Sequence, residues 1–173
     1  MFKCFTSKKV KIKKVQNIID LKTSIQGKTF IKHYESCRLK AYRCSANKLT
    51  IGWGHVIKES DDLEITLAKA QRFFDSDIKQ AERSIELLVD LGVKLTQGQY
   101  DALVSLIFNV GHGNLAKSRL LKNINNQKKV SQEDWFKSIK KEWDFYYATK
   151  NGKKIKLKGL VARRKAELAM FDT

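Results

Sequence analysis

The chain has 173 residues, 42% of them hydrophobic and 31% charged, enough apolar material for one packed domain and too much for a disordered chain. Thirty-five Lys and Arg against eighteen Asp and Glu leave a net charge of +17, a field that favours an anionic partner such as nucleic acid, a membrane face or an acidic wall polymer. No apolar run approaches the ~20 residues of a membrane span. The first 22 residues, opening MFKCFTSKKVKIKK, read as a basic arm ahead of a single domain over 23–173. The arm has the charge of an export signal but no apolar stretch behind it, so the chain is expected to be made in the cytoplasm without a cleaved signal.

In chain order, Thr23-Ser-Ile-Gln26 has a capping-box pattern, which predicts a helix starting near Ser24 and ending near 35–37. Short runs rich in Tyr, Thr, Ile and Trp at 41–44 and 49–55, with a polar stretch between them, predict a small hairpin. From 66 to about 91, apolar residues recur at steps of one, three and four, a long helix able to join two lobes. Thr96-Gln-Gly-Gln99 is a second capping box, and the YDALVSLIFNV that follows is apolar nearly all round, hence a buried central helix stopped by Gly111 and Gly113. NLAKSRLLKNI and SQEDWFKSIKKEWDFYY predict two further helices, NGKK at Asn151 a turn, and GLVARRKAELAMF a last amphipathic helix. The class is α+β, mainly α: a small β patch close to the N-terminus followed by a helical body.

Cys4, Cys37 and Cys44 are an odd set with no Cys-x-x-Cys or Cys/His spacing, so neither a disulfide framework nor a metal site is expected, and no cofactor. His33, His55 and His112 are scattered and read as structural or surface residues. Lysine outnumbers arginine and no DNA-reading motif accompanies the charge, which argues against a nucleic-acid partner.

The segment Glu-Ser-Cys-Arg-Leu-Lys-Ala-Tyr-Arg-Cys-x4-Leu-Thr-Ile-Gly-Trp-Gly-His from Glu35, together with LTQGQYDALVSLIFNVGHGNLAKSRLL and KGLVARRKAELAMF, resembles the bacteriophage-type lysozymes, glycoside hydrolase family 24, over about 24–171. The resemblance implies a lysozyme-like fold: a small N-terminal β-hairpin lobe and a helical C-terminal lobe, joined by a long helix, with the active-site cleft between. It implies a bacteriolytic muramidase, a phage endolysin that cuts peptidoglycan between N-acetylmuramic acid and N-acetylglucosamine. It also implies a monomer held in the host cytoplasm until a holin permeabilises the membrane, and then acting at the wall. Family positions place the catalytic acid at Glu35, a carboxylate position at Cys44 and a catalytic Thr at Thr50. Tyr42 and Asn109 fall at positions near the bound sugar, and Arg163 or Arg164 at the cation beside the acid.

Glycoside hydrolysis needs a protonated acid for the leaving oxygen and a second group to handle the sugar carbon or the attacking water. Glu35 suits the first role. Where the family has Asp, this chain has Cys44, and three readings stand. A thiolate replaces the carboxylate, as charge stabiliser or nucleophile; Cys44 merely packs and Glu35 alone drives a lytic transglycosylase; or the protein binds peptidoglycan without cutting it. Arg43 is adjacent to Cys44, but strand neighbours point to opposite faces. Thr50 is expected to hold water or sugar opposite Glu35, or simply to fill a strand. Gly52 and Gly54 are expected to let backbone approach a sugar. Trp53 is a sugar platform or core, Phe108 the cleft floor, and His55 a pin for the β lobe through an ion pair. Cys37 is expected to be a buried thiol outside any disulfide.

Overall fold

The computed structural model describes residues 14–44, 47–145, 147–150 and 153–173. Thirteen residues of the basic arm, with Cys4, and the predicted turn at Asn151 lie outside them.

The first helix, α1 (Ile25–Tyr34), starts one residue later than the capping pattern suggests. Ser24 is the cap, its Oγ accepting from Gly27 N at 3.0 Å. Thr23 instead spends its amide and hydroxyl on Glu82 Oε1, both at 2.7 Å, which ties the start of α1 to the long helix. A three-stranded antiparallel sheet follows, made of β2 (Arg38–Arg43), β3 (Leu49–Gly52) and β4 (His55–Val56). The predicted second strand therefore breaks at Trp53 and Gly54. Asn47 takes the left-handed conformation, φ 58°, in the β2–β3 connection. Residues 63–65 run along the outer edge of β2, with Ala41 N donating to Leu63 O and Ile65 N to Leu39 O.

Helix α2 (Leu67–Leu88), capped by Thr66, spans about 33 Å at 1.5 Å per residue. Its buried Ala70, Phe74, Ile78, Ala81 and Ile85 form one stripe. Helix α3 (Gln97–Val110) has both arms of the Thr96 capping box, and every residue from 99 to 107 is buried. It stops at Gly111, φ 82°, whereas Gly113 lies inside the short helix α4 (His112–Ala116). The predicted helix over NLAKSRLLKNI is broken at Ser118, which caps α5 (Arg119–Asn125). Helix α6 (Gln132–Glu142) ends at Trp143, and the chain then forms a second hairpin, β6 (Tyr147–Lys150) with β7 (Lys153–Lys156), before α7 (Lys158–Phe171).

Two apolar clusters result. The larger joins α1, α2, α3, α5, α6 and α7 around Tyr100, Leu103, Trp135 and Phe171. The smaller, Ile51, Ile57, Ile65 and Ala70, lies between the sheet and the start of α2, and Trp53 packs against both. The segment read as basic arm is not wholly separate. Its β1 (Gln16–Asn17) pairs with β5 (Lys94–Leu95), and Ile18 and Leu21, each 1% exposed, join the larger cluster. Two-residue strands carry no period for a sequence reading to find.

Candidate active site

Glu35 is the C-cap of α1, and its amide donates to Ile31 O at 3.0 Å. The chain turns there into β2, so the carboxylate leaves the helix end toward the sheet. Oε1 pairs with Arg163 Nη1. Oε2 lies against Gly54, where a Cβ would come within 3.5 Å of it; φ is +90° at this glycine. Of the two expected arginines, Arg163 is therefore the one on Glu35. Arg164 is turned inward, Nη2 donating to Glu167 Oε1 at 2.8 Å and Nη1 to Phe145 O at 3.3 Å.

Behind the pair lies a buried network. Glu167 is 0% exposed. It accepts from Ser105 Oγ at 2.7 Å, Arg163 Nε at 3.1 Å and Trp143 Nε1 at 3.1 Å, and Arg164 Nε stands 2.7 Å from its Oε2. Arg163 Nη2 also donates to Ser105 O at 3.3 Å, and the Tyr34 ring stands 5.6 Å from the guanidinium. Each of the two buried guanidiniums thus has a carboxylate partner, as buried charge requires. Burial pulls the Arg164 guanidinium below its ordinary range, and Glu167 pulls it back. Sequence reasoning assigned no role to Ser105, Trp143, Glu167 or Tyr34. Ser105 was detectable in principle, since a serine within an all-round apolar helix must find a buried partner.

On the hairpin side, Tyr42 pairs with Thr50 across β2 and β3, so the two share a face, and Cys44 follows two residues after Tyr42. Burial pushes the Tyr42 hydroxyl up, Arg38 stacked at 4.5 Å opposes this, and the charges of Glu35 and Cys44 add to it. Tyr42 thus stands within electrostatic reach of both. Thr50 is buried, and its Oγ1 donates to Lys48 O at 3.0 Å; the Cys44 amide donates to the same oxygen at 2.9 Å. The threonine hydroxyl is thus spent on the carbonyl that also anchors Cys44. Arg43 turns away, bonding Glu59 at 2.7 Å and Asn47 O at 3.1 Å. Cys37 is exposed, not buried as expected, because it lies at the open entry of β2; it and Cys44 form no disulfide with each other.

A cavity of ≈ 320 Å³ opens between the lobes, walled by Gly54, His55 and Val56 on one side and by Ala81, Ile107 and Phe108 on the other. Phe108 also packs on Phe74, ring centroids 5.6 Å apart. Asn109, half-buried, follows Phe108 in the last turn of α3. Trp53 is half-buried, with Lys32 Nζ 4.2 Å over its ring and Phe74 packed edge-on at 5.6 Å. Gly52 backs onto Ala70, with room for a Cβ 3.4 Å from the alanine's, so its close approach is to α2. His55 stacks on Phe73 at 4.2 Å and pairs with Asp77 at 3.0 Å, fastening β4 to α2. Burial pushes the Asp77 carboxyl up, against the pull of His55.

Residues 32–167 match the family described as Phage lysozyme. The chain is 38% identical over 150 residues to an endolysin of Acyrthosiphon pisum secondary endosymbiont phage 1, covering 87% of this chain and 97% of the relative. It is 35% identical over 156 residues to the endolysin of Salmonella phage P22, covering 87% and 98%. Among solved structures, the muramidase domain of SpmX from Asticaccaulis excentricus superposes with a TM-score of 0.74 at 29% identity, over 88% of this chain and 98% of that one.

Proposed function

The chain belongs to the phage lysozyme family, and on that premise we propose how its cleft works. The protein is a peptidoglycan hydrolase, a muramidase that cuts the glycan strand of the cell wall between N-acetylmuramic acid and N-acetylglucosamine. Glu35 is the general acid. Its Oε1 is committed to Arg163, so Oε2, against Gly54 on the cavity wall, carries the proton to the glycosidic oxygen. The placement of this one oxygen carries the reading.

As the C–O bond breaks, positive charge grows on the sugar carbon. The Cys44 thiolate meets it from the face that also carries Tyr42 and Thr50. If sulfur closes onto the carbon, its electron pair forms a C–S bond as the leaving oxygen takes the Glu35 proton. Water then breaks the C–S bond and returns a proton to Glu35, and the configuration is retained. Thr50 works through Cys44: by holding Lys48 O it sets the turn on which the thiol rides. Tyr42 and Asn109 contact the sugar, while His55, paired with Asp77, and Trp53, packed on Phe74, hold the β lobe in place. Such chemistry needs neither metal nor cofactor.

Among the described residues no helix is long and apolar enough to cross a membrane. The enzyme acts as a monomer and waits in the host cytoplasm for a holin. The charge of +17 then draws it to the anionic wall, more weakly as salt rises. Digestion of purified peptidoglycan, with the fragments read by mass, tests the reading. New reducing ends are expected. Anhydro ends would assign Glu35 alone to a transglycosylase, and no release would leave a wall-binding protein.

A further inference from the structure

Helix α3 meets one end of the helix that delivers Glu35 directly and reaches the other through Arg163. At the far end, Asp101 is 3% exposed. Its Oδ1 accepts from Ser24 N at 2.9 Å and Gln97 Nε2 at 3.0 Å, and its Oδ2 from Ser24 Oγ at 2.5 Å. Ser24 caps α1. A capping serine needs only to accept from the first turn. Here its N–H and O–H are both spent on a carboxylate of another helix, which fixes where α1 stands as well as where it starts. Bonds to an ionised acceptor are about twice as strong as neutral ones, and a carboxylate at a helix N-terminus also meets the positive end of the macrodipole.

Gly27 brings α1 in close. A Cβ there would stand 2.6 Å from Asp101 Cγ and 2.8 Å from Oδ1, so any side chain would push the helix off or displace the carboxylate. At the near end, Ser105 lies one turn beyond Asp101 on α3 and accepts from Arg163, which holds Glu35. A capped helix of ten residues, about 15 Å long, runs between these two points.

We propose that Asp101 is a positioning residue for Glu35: through Ser24 it sets where α1 stands along α3, and so where Oε2 meets the cleft. The inference rests on Glu35 as the acid. A displacement of about 1 Å at a reacting group costs up to about a hundredfold in rate.

The test measures kcat and KM on soluble peptidoglycan fragments, at a temperature where circular dichroism shows each variant folded. Asp101→Ala and Gly27→Ala should each lower kcat about tenfold or more, with KM within about twofold of wild type. Asp101→Asn keeps an oxygen for the Ser24 amide and should restore kcat to within about threefold. Ile139→Ala, a core lesion in α6, should leave kcat within about twofold once folded. Should Asp101→Ala not fold, Gly27→Ala carries the test with the carboxylate intact.

Wild-type kcat in folded Asp101→Ala would overturn the proposal. So would a loss confined to KM, or an equal loss in Ile139→Ala. Glu35→Gln runs alongside. If it still cuts, the acid assignment has failed; if it is dead while Asp101→Ala cuts normally, only the positioning role has failed.

Discussion

On the helical side of the cleft Glu35 is gripped by Arg163, itself 3% exposed and bonded to Ser105 and Glu167, with Arg164 and Trp143 completing the set. On the hairpin side Cys44 stands at the end of a strand, its amide on Lys48 O and its carbonyl on Asn47 N, and the neighbouring Arg43 side chain is 53% exposed. Glu35, the proposed acid, sits where little can change without stranding a buried charge. Cys44, the proposed second group, is half-buried at the edge of the sheet.

Variants on each side break or sharpen that contrast. Glu35→Gln keeps the shape and an acceptor for Arg163 but has no proton to give, so cutting should fall about 10²–10⁴-fold, read as reducing ends released. Glu167→Ala should lower unfolding free energy by about 3–5 kcal/mol in urea titrations, because two guanidiniums lose their buried partner. A loss below 1 kcal/mol would mean that the network is not rigid. Across the cleft, Cys44→Asp should keep activity, while Cys44→Ala should lose about tenfold or more with melting little changed. Equal rates throughout would reduce Cys44 to packing.

Asp101 offers a smaller, pH-dependent test. Burial raises its carboxyl above the ordinary 3.8, although the Ser24 bonds resist. The folded state therefore holds this proton longer than the unfolded one. The resulting stability is complete below about pH 3.8 and is lost as pH rises through the raised folded value. Asp101→Asn should flatten that part of the stability–pH curve; an unchanged slope would assign it to other groups. Smallest of all, Arg43→Ala removes an exposed pair with Glu59, worth about 0–1 kcal/mol, and one bond to Asn47 O. It should leave cutting within about twofold, and a larger loss would mean that Arg43 does serve the Cys44 thiol.

Helices were legible wherever a cap met an apolar stripe, as at Thr96 and along α2. The sheet at 38–56 was half legible: its residues were strand formers, but the register and the break at Trp53-Gly54 depend on packing against α2 and on Glu35. Hairpin β6–β7 went unread, because Trp143 leaves α6 to bond Glu167, a partner 24 residues away. Glu35, Cys44 and Thr50 came from motif spacing. The division of labour between Arg163 and Arg164 could not, since adjacent residues of one helix separate only when their neighbours are placed.

The β1–β5 pair has a mechanical consequence. Gln16 and Asn17 run antiparallel to Lys94 and Leu95, and Ile18 and Leu21 plug directly into the larger core. A pull on the chain ahead of Gln16 is thus carried into the helical body and bypasses the sheet. A tether built there would load the helical body first and reach the sheet only through it.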